Sequence, residues 1–402
     1  MIAALLLAFA YVALSVGRVP GLRSDRLAAC IVAAVLAVSL RVITLREAQA
    51  SVDAATIGLL FGMMVLSASL EISGAFALLG DFVTRRARGP LGLLVGVAVA
   101  SAVLSALFIN DVVCIAFTPL VLHVTERLER NPRPYLLALA TSSNIGSSAT
   151  ITGNPQNILI GSLSHVSYGR FVATLAPVAI VALAVNVAVI RWVFRADFRE
   201  PLPKREPGKP PRVYRRWVRK SGVVIAAVVV AFACGAPPVV AALLGASAML
   251  VTRAVDPKRL YVRVDWPLLA LFVALFVVVA GAEKAGLAAW ALRALRPLHP
   301  ETVVGLTTIA AALSNLVSNV PAVMVLKSVV PALPHARTAW LTLAMASTLG
   351  GNLTLPGSIA SIIVVERSKS VARISWWDFC KVGVPSALGS LALGAAWLAI
   401  VG

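Results

Sequence analysis

Residues 142–157 read SSNIGSSATITGNPQN, a polar run of serine, threonine, asparagine and glycine set between apolar segments. A second run, residues 347–361, reads STLGGNLTLPGSIAS and aligns with the first at an offset of 204, Gly146 on Gly350 and Gly153 on Gly357. Such composition breaks a helix: glycine leaves helical backbone at little cost, and proline removes an amide donor. Inside a bilayer, backbone that leaves the helix exposes groups that lipid cannot satisfy. It persists only where it lines a cavity or is buried in protein.

Outward from these runs, everything is apolar. The 402 residues are 59% hydrophobic and 13% charged, with a mean hydropathy of +0.90, which places the chain in a membrane. Apolar stretches of bilayer-crossing length recur at 1–17, 27–43, 54–72, 171–193, 221–234, 238–252, 266–283 and 382–401. The first lacks a charged leader and a small-residue cleavage site, so it is read as a span rather than a removed signal.

The net charge of +19 suggests nucleic acid at first sight, but its distribution suggests orientation. Its longest basic stretch, residues 191–220, is rich in proline and joins two apolar blocks. If that stretch is cytoplasmic, roughly 27 of the 36 basic residues fall inside and about 7 outside, as the positive-inside rule requires. Nucleic acid is therefore not expected as a partner. Cys30, Cys114, Cys234 and Cys380 are isolated, and His123, His165, His299 and His335 form no ligand spacing, so neither disulfides nor a bound metal cofactor is expected.

The repeat reaches beyond the polar runs. Asp53, Glu71 and Gly74 return as Asp265, Glu283 and Gly286 at a constant offset of 212, and Ser105 and Asn110 return as Ser314 and Asn319. The expected architecture is an all-α polytopic membrane protein of two copies, 1–200 and 221–402, joined by a basic linker at 201–220. Each copy has about five transmembrane helices, an amphipathic arm, a re-entrant hairpin (about 90–127 and 301–332) and a broken helix (about 134–164 and 338–366). Five crossings is an odd number, so the second copy is inverted. Both termini then lie outside and the 194–220 linker inside.

The expected site lies where hairpin tips meet broken helices: Asn110, Asp111, Asn144, Ser147, Thr150, Gly153, Asn154 and Asn157 from copy one, with Ser318, Asn319, Gly351, Asn352, Thr354, Gly357 and Ser358 from copy two. Neutral oxygens and amides suit a partly dehydrated sodium ion or an anion at half-helix N-termini. The opposing reading is helix-to-helix glue. Asp111 is an ionisable group at membrane depth, which normally persists for a role. It reads as proton carrier, cation ligand or helix cap. Lys327, near the repeat equivalent of Thr118, reads as a second coupling group or a snorkelling lysine. Glu71 and Glu283 are expected to fix the arms to the scaffold in a symmetric way, and Cys114 to be a small buried residue.

SNIGSSATITGNPQNILIG (143–161), INDVVCIAFTPLV (109–121), SNLVSNVPAV (314–323) and LGGNLTLPGSIASIIVVE (349–366) resemble signatures of the ion transporter superfamily. The resemblance is to the arsenite permease and sodium/proton antiporter branch and its related anion permeases. It implies a secondary transporter, usually a homodimer, with a scaffold domain and a moving transport domain. It also implies sodium between tip and broken-helix loop, at Asn110/Gly153 and Asn319/Gly357. The related divalent-anion symporters carry a Ser-Asn-Thr triplet at each tip. This chain keeps both asparagines and Ser318, but has Ile109, Asp111 and Val320 elsewhere, and the Asn110-Asp111 pair looks more like the arsenite permease pattern. The leading expectation is an ion-coupled permease for a small anion in the inner membrane, driven by sodium or protons and not an enzyme. Arsenite/antimonite efflux, with or without an ATPase subunit, sodium/proton exchange, and a channel or non-transporting scaffold stand as alternatives. No nucleotide-binding loop is present in the sequence.

Overall fold

The computed structural model describes residues 2–16, 25–199, 213–251 and 255–401, and among these it is helical throughout. Arg18 and Arg23, counted above among the basic residues, lie outside the described residues, as does most of the 201–220 linker. Copy one contains α1 (Ile2–Val16), α2 (Arg26–Ser39), α3 (Leu45–Ser51), α4 (Ala54–Ser73), α5 (Ala75–Arg86), α6 (Pro90–Leu107), α7 (Asn110–Arg127), α8 (Arg133–Ser147), α9 (Pro155–Ser164) and α10 (Tyr168–Val193). Copy two repeats the order with α11 (Arg215–Ala233), α12 (Pro238–Leu250), α13 (Pro257–Tyr261), α14 (Trp266–Lys284), α15 (Leu287–Leu295), α16 (Val303–Val317), α17 (Asn319–Leu326), α18 (Ala336–Gly350), α19 (Ile359–Ser368) and α20 (Trp376–Val401). The helix α11 begins at Arg215, inside the stretch read from sequence as linker.

The recurring residues are the punctuation of this pattern. Asp53 and Asp265 cap α4 and α14, accepting from Thr56 N (2.6 Å) and Leu268 N (3.0 Å). Gly74 and Gly286 end the same helices with φ of 81° and 91°, a region that glycine enters without strain, and the chain turns there into the arms α5 and α15. Among the described residues five helices are long and apolar enough to cross a membrane: α4, α6, α10, α14 and α20. Helices α1, α2 and α12 are shorter, at 15, 14 and 13 residues.

Packing divides the helices into two groups. One joins α1, α2, α4, α11, α12 and α14, chiefly through α4 on α12 and α2 on α14. The other joins α6–α10 to α16–α20, through α6 on α8, α16 on α18, and α10 on α20. The first group is called here the scaffold, and the second, which carries both hairpins and both broken spans, the transport group. In the second group burial is nearly complete: every residue of α8 from Pro134 to Ser147 and of α18 from Ala339 to Gly350 is buried.

Tracing the chain, each span reverses direction and each hairpin returns to the face it left. The start of α1 and the end of α20 therefore share one face, called here the terminal face. Val193 and Arg215 lie on the other, the linker face. On the terminal face Glu47 of α3 is held down to about 2 by the Lys284 ammonium and then by hydrogen bonds from Thr44.

Candidate functional site between two hairpin tips and two broken spans

Each broken span stops and restarts for a local reason. After α8 the chain turns through residues 148–154. Helix α9 then restarts with Pro155 in its first turn and with Asn154 as cap, its Oδ1 accepting from Asn157 N at 2.8 Å. In copy two a short 3-10 turn, Leu355–Gly357, sits between α18 and α19. The hairpins turn at extended residues Phe108 and Ile109, and at Ser318, whose φ of 75° is unusual for a residue with a side chain.

Glycines let these elements touch. A Cβ on Gly146 would lie 2.1 Å from Ala102 O, and one on Gly153 2.4 Å from Ser147 O and 2.7 Å from Ser105 O. The tip is thereby brought onto the loop, and Asn110 N donates to Gly153 O at 3.0 Å.

A single hydrogen-bonded network then crosses the pseudo-symmetry axis. Asn110 Nδ2 donates to Asn144 Oδ1 (2.8 Å), Asn144 Nδ2 to Asn352 Oδ1 (2.8 Å), and Asn352 Nδ2 to Thr141 O (3.0 Å). Ser358 Oγ donates to Asn144 Oδ1 (3.0 Å). In the other direction Asn154 Nδ2 reaches Ser147 Oγ (2.9 Å) and Thr348 Oγ1 (3.2 Å), and Gln156 Nε2 reaches Thr348 Oγ1 (3.2 Å). The Asn319 carboxamide, turned to satisfy its surroundings, donates to Ser347 O and Gly357 O (both 3.0 Å) and accepts from Gln156 Nε2 (3.1 Å).

Of the residues expected from sequence, Asn110, Asn144, Ser147, Thr150, Gly153, Asn154, Asn157, Asn319, Gly351, Asn352, Thr354, Gly357 and Ser358 are brought together. Thr150 Oγ1 bonds Ala106 O, and Thr354 Oγ1 bonds Asn315 Oδ1 (2.9 Å), at equivalent points of the two copies. A Cβ on Gly351 would meet the Asn319 carboxamide at 2.6 Å. Ser318 serves the turn, and its side chain makes no hydrogen bond among the described residues. Asp111 is half-buried in the first turn of α7, and the cap position is taken by Ile109 with no side-chain bond. The helix-cap reading of Asp111 is therefore not what the geometry shows.

Lys327 lies outside the network, paired with Glu283 at 3.1 Å. Glu71 and Glu283 do not fix the arms symmetrically as expected: Glu71 pairs with Arg263 (3.4 Å), whereas Glu283 also accepts from Ser328 Oγ. The reason is that the repeat equivalents of Lys327 and Ser328 are Thr118 and Pro119, neither of which carries a charge. Cys114 is buried with Sγ 3.0 Å from Ser143 Oγ. Among the described residues no group of three His, Cys, Asp or Glu could hold a metal ion.

Sequence reasoning passed over Gln156, Thr348 and Asn315. Gln156 and Thr348 stood inside the two polar runs, and their length, which lets them reach across copies, was the overlooked signal. Asn315 lay one position from the aligned Ser314.

Within the polar network the two copies differ as well. In copy one Ser105 Oγ, Asn110 Oδ1 and Asn157 Oδ1 are buried without a partner, and all three residues touch the Gly153 turn or its neighbour Ser147. Two of the copy-two counterparts are bonded: Ser314 Oγ donates to Ser347 O (2.6 Å), and Asn319 is satisfied as above, whereas Ser361, the counterpart of Asn157, is also without a partner at its Oγ. Buried oxygens without donors favour a cation.

Residues 9–394 match the family model described as citrate transporter. The chain is 30% identical to a rice protein named silicon efflux transporter LSI3, over 94% of this chain and 93% of the relative. It is 23% identical to a Dictyostelium discoideum protein named putative transporter arsB, over 94% and 88%. Among solved structures, the Alcanivorax borkumensis YdaH transporter superposes with a TM-score of 0.61 at 14% identity, covering 99% of this chain and 96% of that one.

Proposed function

The chain belongs to the citrate transporter family of membrane transporters, and from that premise we propose that it is an ion-coupled permease for a small oxyacid or its anion. It works by alternating access at the site between Asn110, Asn144, Asn319 and Asn352. The observation that carries this reading is the chemistry of the network: carboxamides, hydroxyls and carbonyls, with no Lys or Arg in it among the described residues. A multiply charged anion desolvated there would find no fixed positive charge. A neutral or singly charged solute rich in hydroxyls would find donors and acceptors on every side. The rice relative's name, silicon efflux, and the arsB name of the other agree with a solute of that kind.

Coupling is assigned to copy one. The unpartnered oxygens of Ser105, Asn110 and Asn157 suit a sodium ion at Asn110/Gly153, and Asp111, beside that position and without a hydrogen-bond or ion-pair partner among the described residues, suits a proton. The second reading, sodium/proton exchange, is favoured by Asp111 alone. On the positive-inside pattern the linker face is cytoplasmic and the chain lies in the plasma membrane. The scaffold is the surface for a homodimer, as in the resemblance drawn from sequence.

The test is the melting temperature of the detergent-purified protein with silicate, arsenite, phosphate or citrate, each in sodium and in choline, followed by flux of the stabilising solute into proteoliposomes. A ligand that binds only the folded state must raise the transition, by about 2.7 kcal/mol at a hundredfold excess over Kd. Stabilisation by arsenite or silicate that grows with sodium or with pH supports the reading. Stabilisation by citrate alone would replace the oxyacid by a carboxylate, and response to sodium and pH with no solute effect would turn the assignment to exchange.

A further inference from the structure

Scaffold and transport group meet through polar bridges that gather on the terminal face. Asp53, at the start of α4, accepts two hydrogen bonds of 2.9 Å from Ser162 Oγ near the end of α9. Glu283, at the end of α14, holds Lys327 and Ser328, just beyond α17 of the second hairpin. Deeper in, Tyr11 Oη of α1 donates to Pro321 O at 2.8 Å. Helix α4 packs on α9 and α1 on α16.

Inversion of the repeat places counterparts of these pairs on the linker face, where they are not formed. Among the described residues Asp265, the counterpart of Asp53, makes one hydrogen bond, the cap bond to Leu268 N, and meets the like charge of Asp111 on the first hairpin. The position matching Ser162 is Glu366, a like charge, exposed and paired with Lys369 at 3.5 Å. Glu71, the counterpart of Glu283, is held within the scaffold by Arg263. Packing of α14 on α19 and of α11 on α6 does not match that of α4 on α9 and α1 on α16. The linker face differs in sequence as well as in contact, so it cannot make the same bonds after a simple exchange of states.

We propose that Asp53 and Glu283 are positioning residues that latch the transport group to the scaffold on the terminal face, and so set how often the site opens to that side. The proposal rests on the two-state reading above, though not on the identity of the solute. A ligand or contact shifts such an equilibrium only by its difference between the two states. These bonds exist in one state and have no equivalent in the other.

The experiment uses Cys234→Ser, which removes the exposed cysteine and leaves three buried ones, with Val112→Cys at the half-buried position behind the first hairpin tip as reporter. Membrane-impermeant maleimide labels the protein in proteoliposomes from each face, without solute. The parent should label mainly from the linker face. Asp53→Asn with Glu283→Gln should raise the ratio of terminal-face to linker-face labelling at least about fivefold. Glu366→Ser, at an exposed position safe for folding, gives Asp265 the hydroxyl that Asp53 has, and should move the ratio the same way. A reporter that samples both faces at a ratio unmoved by either change, with melting temperatures equal to the parent, would overturn the latch. Labelling from the linker face alone in every variant would remove the two-state reading itself.

Discussion

The two hairpin-and-broken-span units are built on one plan and satisfied to different degrees. In copy two the Asn319 carboxamide has partners for both its nitrogen and its oxygen, and the oxygen's donor, Gln156, comes from copy one. In copy one Asn110 spends its nitrogen on Asn144 and leaves its oxygen bare. Pseudo-symmetry thus gives the positions, and side-chain length decides which one is filled from within. A protein amide does in copy two what a bound cation is proposed to do in copy one, so the two units need not carry the same ion.

The largest effect is expected where the plan is shared. Gly146→Ala would drive a Cβ to 2.1 Å from a backbone oxygen, and Gly350→Ala to 2.6 Å from Ala311 Cα, with no flexible side chain to yield in either case. Both variants should lose at least ~3 kcal/mol of stability, Gly146→Ala the more, because overpacking of a rigid contact moves backbone. Fluorescence-detected size exclusion with heating reads this. A Gly146→Ala protein as stable as its parent would mean that α6 and α8 do not pack as closely as described.

How far the sequence carried this plan is visible in the same residues. Helix starts and stops were legible because Asp53, Gly74, Asp265 and Gly286 are caps, and caps are local chemistry written in adjacent residues. The breaks were legible because proline and glycine fall there among clustered polar residues, a combination that lipid-facing helix does not carry. The all-helical plan of two copies, each with a hairpin and a broken span, was legible on that ground. What the sequence left open was partnership across the axis. Nothing local says that Gln156 meets Asn319 from the other copy, or that Lys327 belongs to Glu283 rather than to the site. Those contacts are set by packing of segments far apart in the chain, and single-residue charge or polarity does not encode them.

A middle-sized effect should separate the two asparagines. Asn110→Ala is expected to abolish sodium-dependent stabilisation and reduce transport at least about tenfold, the equivalent of about 1.4 kcal/mol. It should cost little in melting temperature, since Asn110 makes one side-chain bond. Asn319→Ala should do the reverse. It removes donors to Ser347 O and Gly357 O and leaves the Gln156 amide with Thr348 as its remaining partner, for a stability loss of roughly 2–4 kcal/mol, while the remaining folded protein keeps its sodium response. Equal behaviour of the two variants would erase the distinction between an open unit and a filled one.

A stability change smaller than that of Asn319→Ala is the most informative about that distinction. Gln156→Leu takes away the amide that bonds Thr348 and Asn319 and keeps most of the side-chain volume, costing about 1–2 kcal/mol. It also leaves Asn319 Oδ1 without its Gln156 donor, as Asn110 Oδ1 already is without any. If the amide stands in for a cation, sodium should recover much of the lost stability, and the dependence of melting temperature on sodium concentration should become steeper than in the parent. If sodium recovers nothing, the copy-two position is a packing contact only. The bare oxygens of copy one would then have to be explained by the solute rather than by the ion.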